Sequence, residues 1–162
     1  MIKAIINLLT SIIQKIPIKK CLEDKNLGEL FLKEFPSNSE SCIFLRDYDI
    51  SDPFPSSSFD AIENFMNKWD NTEHIFFNRK LEKIRRNLVN KIKNFITELS
   101  LLIRPLPNNI NFYTTELKYA DIASDEVLLK EKNMIKNLNK IATKIYECHQ
   151  KLTKEVRKLL NS

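Results

Sequence analysis

FNRKLEKIRRNLVNKIKNFITELSLL, residues 77–102, is the stretch whose reading decides the fold. Its apolar members, Phe77, Leu81, Ile84, Leu88, Ile92, Phe95, Leu99 and Leu102, recur at steps of three and four, the spacing that puts side chains on one side of a helix. MIKNLNKIATKIYECHQKLTKEVRKL, residues 134–159, repeats the rhythm through Met134, Leu138, Ile141, Ile145, Cys148, Leu152, Val156 and Leu159. Two long apolar stripes leave water most readily by packing on each other. The expected fold class is therefore all-α: an antiparallel pair of long helices with shorter N-terminal helices packed across it, in a single domain over residues 1–162.

The boundaries of the pair follow from local chemistry. Asn78 is placed to cap the first long helix, expected over 78–104, and Pro105 and Pro107 enforce its stop. Ser124 caps the second, expected over 124–160, and Asp125 and Glu126 suit the positive end of the helix dipole. At about 1.5 Å per residue the second helix reaches roughly 54 Å and the first roughly 39 Å. The longer stripe thus overhangs its partner and needs a cover. The covers available are the N-terminal helix and a helix carrying Phe59, Ile62, Phe65, Met66 and Trp69, opened by Ser58 or by an Asp60/Glu63 capping box.

Upstream, residues 1–16 are strongly apolar, and Pro17 is expected to end them as a helix. Their length and interruptions are wrong for a membrane span. They fit a core helix or, with Lys3, Lys15, Lys19 and Lys20, an amphipathic helix lying on a membrane surface. A short helix is expected near Leu22–Phe35, stopped by Pro36. Cys42–Leu45 reads as a brief extended run, and Asp52–Ser58 as a loop stiffened by two prolines. Residues 108–123 read as a connector with one helical turn near 116–122.

Composition excludes several chemistries. The chain has one glycine, Gly28, so neither a GxGxxG nor a Walker A phosphate loop can be drawn. Its three cysteines, Cys21, Cys42 and Cys148, lack CxxC spacing, and no signal-peptide cleavage site precedes them. They read as reduced thiols in the cytoplasm. With two histidines the chain does not assemble a zinc site, and no metal or other cofactor is implied. The net charge of +5 is uneven: residues 40–73 carry 2 basic against 8 acidic groups, residues 74–104 carry 8 against 2, and residues 125–158 carry 9 against 5. Adjacent segments of opposite sign can neutralise one another if they pack.

Three places remain for chemistry. Arg46, Asp47, Tyr48 and Asp49 set a guanidinium between carboxylates, which suits a buried ion pair locking a loop or, less simply, a ligand site. A calcium loop there would lack its glycine and terminal glutamate. His74 and His149 have no nucleophile marked beside them, and neither follows an arginine by four to six residues as in HEPN-type ribonucleases. Arg79, Lys83 and Arg86 share one side of the first long helix and can track phosphates. A solvated face paired with the preceding acidic segment is the plainer reading.

Phe44-Leu45-Arg46-Asp47-Tyr48-Asp49, Trp69, Glu73-His74 with Phe76-Phe77, and Leu81-Glu82 with Arg85 resemble a pattern of small bacterial helical proteins with no assigned activity. The resemblance spans about Ser41–Leu102 and implies a bacterial origin and a shared helical domain, with no catalytic residue to carry over. The expected role is a non-enzymatic protein-interaction or regulatory module. Its partner would be another protein, with a nucleic acid on Arg79, Lys83 and Arg86, or a membrane surface on residues 1–16, as the alternatives.

Overall fold

In the computed structural model the backbone is described for residues 2–116 and 123–162, and side chains for residues 18–116 and 123–162. The chain is mostly helical, with one small sheet. The helices are α1 (Ile2–Glu34), α2 (Glu40–Asp47), α3 (Ser56–Trp69), α4 (Arg79–Leu99) and α5 (Asp125–Leu160), with a 3-10 turn at Thr72–His74.

α4 and α5 fall on the two predicted stripes, and Asn78 and Ser124 cap them through their side-chain oxygens, but α4 ends at Leu99, ahead of the expected 104 and before Pro105 is reached. Leu81, Leu88, Ile92, Phe95 and Leu99 of α4 and Leu138, Ile145, Leu152 and Val156 of α5 are buried in one core. The stripe starts at Leu81 rather than Phe77, which lies ahead of the cap and is 50% exposed. Contacts between the two helices join Lys80 to Glu155, Ile84 and Asn87 to Cys148, and Glu98 to Asn137.

Pro17 does not end the first helix: α1 runs through it to Glu34. A proline removes one bond of the ladder and leaves those beyond it intact. The stretch after it is held by packing, with Phe31 and Phe35 against Phe65 and His149, and Gly28 against Val156 of α5. Whether residues 1–16 are core or membrane-associated lies outside the described side chains. Among the described residues no helix is long and apolar enough to cross a membrane.

Cys42–Leu45 is helical rather than extended. Ser39 caps α2 by accepting from the Cys42 N–H, and Cys42, Phe44 and Leu45 turn inward. α3 opens after Pro55 without a side-chain cap, so neither Ser58 nor the Asp60/Glu63 box serves it. α1 and α2 pack on α5, whereas α3 packs on α4 and α2.

The all-α expectation needs one correction. After α4 the chain forms a hairpin of β2 (Arg104–Leu106) and β3 (Asn109–Thr114), and β1 (Phe54–Pro55) adds to it in the antiparallel order β1-β3-β2. Pro105 and Pro107 bar helix here, and Pro105 is tolerated because β2 is an edge strand beside a bulge. Phe54 is fully buried between Phe44 and Tyr113, tying the sheet to α2. The helical turn expected near 116–122 falls largely outside the described residues.

Candidate functional site

The chemistry-bearing residues divide into a closed interior and an open surface. The interior starts at Trp69, which is fully buried and stacked on Phe65 at 5.4 Å, with its indole N–H donated to Glu34 at 3.0 Å. Its carbonyl accepts from Arg85, and Arg85 also makes a two-pronged pair with Glu82 at 2.7 and 2.8 Å. Glu82 further accepts from the Phe76 N–H at 3.1 Å. Asp24, reaching from α1, accepts from the Phe77 and Asn78 N–H groups at 2.6 and 2.7 Å, a carboxylate at the positive end of α4. Every charge in this region is matched, as burial demands. Many residues of the pattern running from Phe44 to Arg85, namely Phe44, Leu45, Trp69, His74, Phe76, Leu81 and Arg85, are buried in the interior, so much of the pattern describes how the helices lock.

Both histidines serve this interior. His74 holds Asn71 at 2.9 Å and lies 4.8 Å from the Trp69 ring. His149 has no exposed surface and donates Nε2–H to the Phe35 carbonyl at 2.7 Å, which leaves Nδ1 to accept from Gln150 at 3.2 Å. The Cys42 thiol stands 3.7 Å from both ring nitrogens. A cysteine beside a histidine invites a nucleophile reading, but that chemistry needs a thiolate and an accessible sulfur. Here burial pushes the Cys42 thiol up to about 11 and lowers the His149 pKa, so both stay neutral. The pair is core. Cys148 is likewise buried, its thiol raised by burial, while Cys21 is exposed.

The Arg46–Asp49 stretch lies at the end of α2. Arg46 pairs bidentately with its neighbour Asp47 at 2.6 and 2.7 Å, but the pair is at the surface, not inside. The guanidinium also rests 5.8 Å over the Tyr146 ring. Tyr48 is half-exposed against Phe44. The clamp belongs to Asp49 and a residue that the sequence does not mark, Asn139. Asp49 accepts from the Ser51 N–H and hydroxyl and from Asn139 at 2.7–2.9 Å, while Asn139 accepts from the Ile50 N–H at 3.0 Å. Those donors, the Ser51 N–H foremost, hold Asp49 below the usual carboxylate range. Its Oδ1 is thus spent on the fold.

The third place is open. Arg79, Lys83 and Arg86 are exposed along α4 and line one groove of about 430 Å³ with Glu82, Asn87 and Asn90. Among the described residues none of the three makes an ion pair, and two acids of α4 and α5 are engaged elsewhere. Glu82 is held by Arg85, and Glu155 bridges Lys158 and Lys80, whose hydrogen bonds hold it down to about 2. The acidic segment 40–73 reaches the basic helix through a single described ion pair, Asp70 to Lys93 at 3.2 Å. Neutralisation by the preceding segment therefore stops short of this groove.

Comparison with known proteins finds no family model, curated protein or solved structure that matches the chain. The functional reading rests on these residues alone.

Proposed function

We propose that the chain is a non-enzymatic helical binding module whose working surface is the basic outer side of α4, and whose partner is a nucleic acid bound through its phosphates. The scaffold in this reading is an antiparallel α4–α5 pair with α1, α2 and α3 packed across it. One observation carries the proposal: Arg79, Lys83 and Arg86 share a groove and keep no carboxylate partner among the described residues. Like charges left side by side gain most from a polyanion, which releases its counterions on meeting them. The burial of His149 and Cys42 supports a binding role over a catalytic one. The test is retention of mixed-sequence nucleic acid at low salt. Wild-type protein retains it, and R79E/K83E/R86E does not. Equal retention by the two proteins sinks the reading.

A protein partner has its own supporting observation. Glu23, Asn26, Leu27, Thr72, Glu73, Ile75 and Phe77 line a cleft of about 490 Å³ between α1 and the segment before α4. Ile75 is 44% exposed and Phe77 50%, with two carboxylates in the same lining. That surface suits an apolar segment flanked by basic residues. Phe77→Ser then abolishes copurification of a stoichiometric protein and leaves nucleic-acid retention unchanged.

A further inference from the structure

The α4 groove has a neighbour. The contacts Lys80–Glu155, Asn87–Cys148 and Glu98–Asn137 trace the seam along which α4 meets α5. Lys144 and Lys151 lie four residues before and three after Cys148, one turn to either side of it, and both are exposed. At about 100° per residue they fall on the solvent side of the seam, the side that Arg79, Lys83 and Arg86 occupy across it. Asn87, which lines the α4 groove, donates to the Cys148 thiol at 3.5 Å, so the groove adjoins the α5 row there. None of these five cations makes an ion pair among the described residues, and the α5 row carries one exposed carboxylate, Glu147.

We infer that the outer sides of α4 and α5 form one continuous phosphate-binding face, and that the partner it fits is double-stranded nucleic acid held by its backbone. This rests on the nucleic-acid reading of the α4 groove and extends it to a second helix and a class of nucleic acid. Two helices packed 8–10 Å apart, each about 10–12 Å across, are too broad together for a major groove about 12 Å wide. The pair therefore lies on the backbone, where binding ignores sequence. A single strand is gripped by stacking its bases on exposed aromatic rings. The large exposed aromatics among the described residues are Tyr48, at the end of α2, and Phe77, under Lys20 of α1, and neither belongs to this face. A lipid surface is met by apolar groups set among the cations. Here the exposed α4 residues among them are Asn87, Asn90 and Asn94.

The test compares wild type, K144E/K151E, K144R/K151R and R79E/K83E/R86E against a mixed-sequence duplex, one of its strands alone, and phosphatidylserine vesicles, with circular dichroism confirming the fold of each. The expected result is preference for the duplex, at least tenfold weaker binding by K144E/K151E with a salt slope shallower by about two, and wild-type behaviour in K144R/K151R. Tighter binding of the single strand, or binding of vesicles alone, overturns the inference. If K144E/K151E binds duplex as wild type does while R79E/K83E/R86E has lost it, α5 is not part of the face and the α4 reading survives. If no protein binds nucleic acid, both fall together.

Discussion

The inner and outer sides of α4 treat charge in opposite ways. On the inner side Arg85 is answered by Glu82 and the Trp69 carbonyl, and Asp24 spans to the helix start to accept two backbone N–H groups. On the outer side, a turn or less away, Arg79, Lys83 and Arg86 stand without a described partner although acids are near. The inner arrangement is what a fold requires, since an unmatched buried charge costs several kcal/mol. The outer one leaves exposed cations unmatched, which costs a fold little at the surface. Substitutions on the two sides should separate these roles.

The largest effect belongs to the inner side. Trp69→Ala removes a buried ring that packs on Phe31 and Phe65 and leaves Glu34 without its indole donor. It should cost about 3–5 kcal/mol, read by urea denaturation. A loss near that on an outer position would erase the distinction.

Gly28→Ala comes next. A methyl there would stand 2.8 Å from Cγ1 of Val156, a fully buried, β-branched residue with little freedom to move. Alanine is the better helix former by about 1 kcal/mol, so a net loss of about 1–2 kcal/mol marks a clash that exceeds this gain. A stabilised variant would mean that α1 and α5 are less tightly joined there.

His149 yields a smaller, pH-dependent effect. Burial lowers its pKa in the folded state, so below the unfolded value of about 6.5 the unfolded chain takes up the proton first. Stability should fall as pH drops from about 6.5 toward the lowered folded value, and be insensitive to this group above it. Melting curves between neutral and mildly acid pH should show the slope in wild type and a flatter one in His149→Gln. The smallest effect is expected outside: Arg79→Ala, Lys83→Ala or Arg86→Ala should each change stability by no more than about 0.5 kcal/mol.

Much of this was legible in the sequence, and the misses have physical causes. The stripes and the caps Asn78 and Ser124 are local signals, and both helices form where they point. The sheet is not legible because β1 pairs with a residue about sixty positions away, Phe54 with Tyr113, and β1 and β2 are too short to show alternation. α2 looked extended because Cys42–Leu45 is a brief apolar run whose helix depends on its cap and on burial against α5. Asp24 carries no mark at all, since what it serves lies more than fifty residues away. The basic run of α4 is plain, whereas the proposed junction with Lys144 and Lys151 needs the rotation of one helix against the other, which composition does not encode.

The most direct measurement is the salt dependence of nucleic-acid affinity. If Arg79, Lys83 and Arg86 each displace a counterion, the slope of log K against log salt should be steep in wild type and shallower by about three in R79E/K83E/R86E, at an unchanged melting temperature. An identical slope in the two proteins, or a variant that loses binding only because it has unfolded, would contradict the separation of a matched interior from an open binding face.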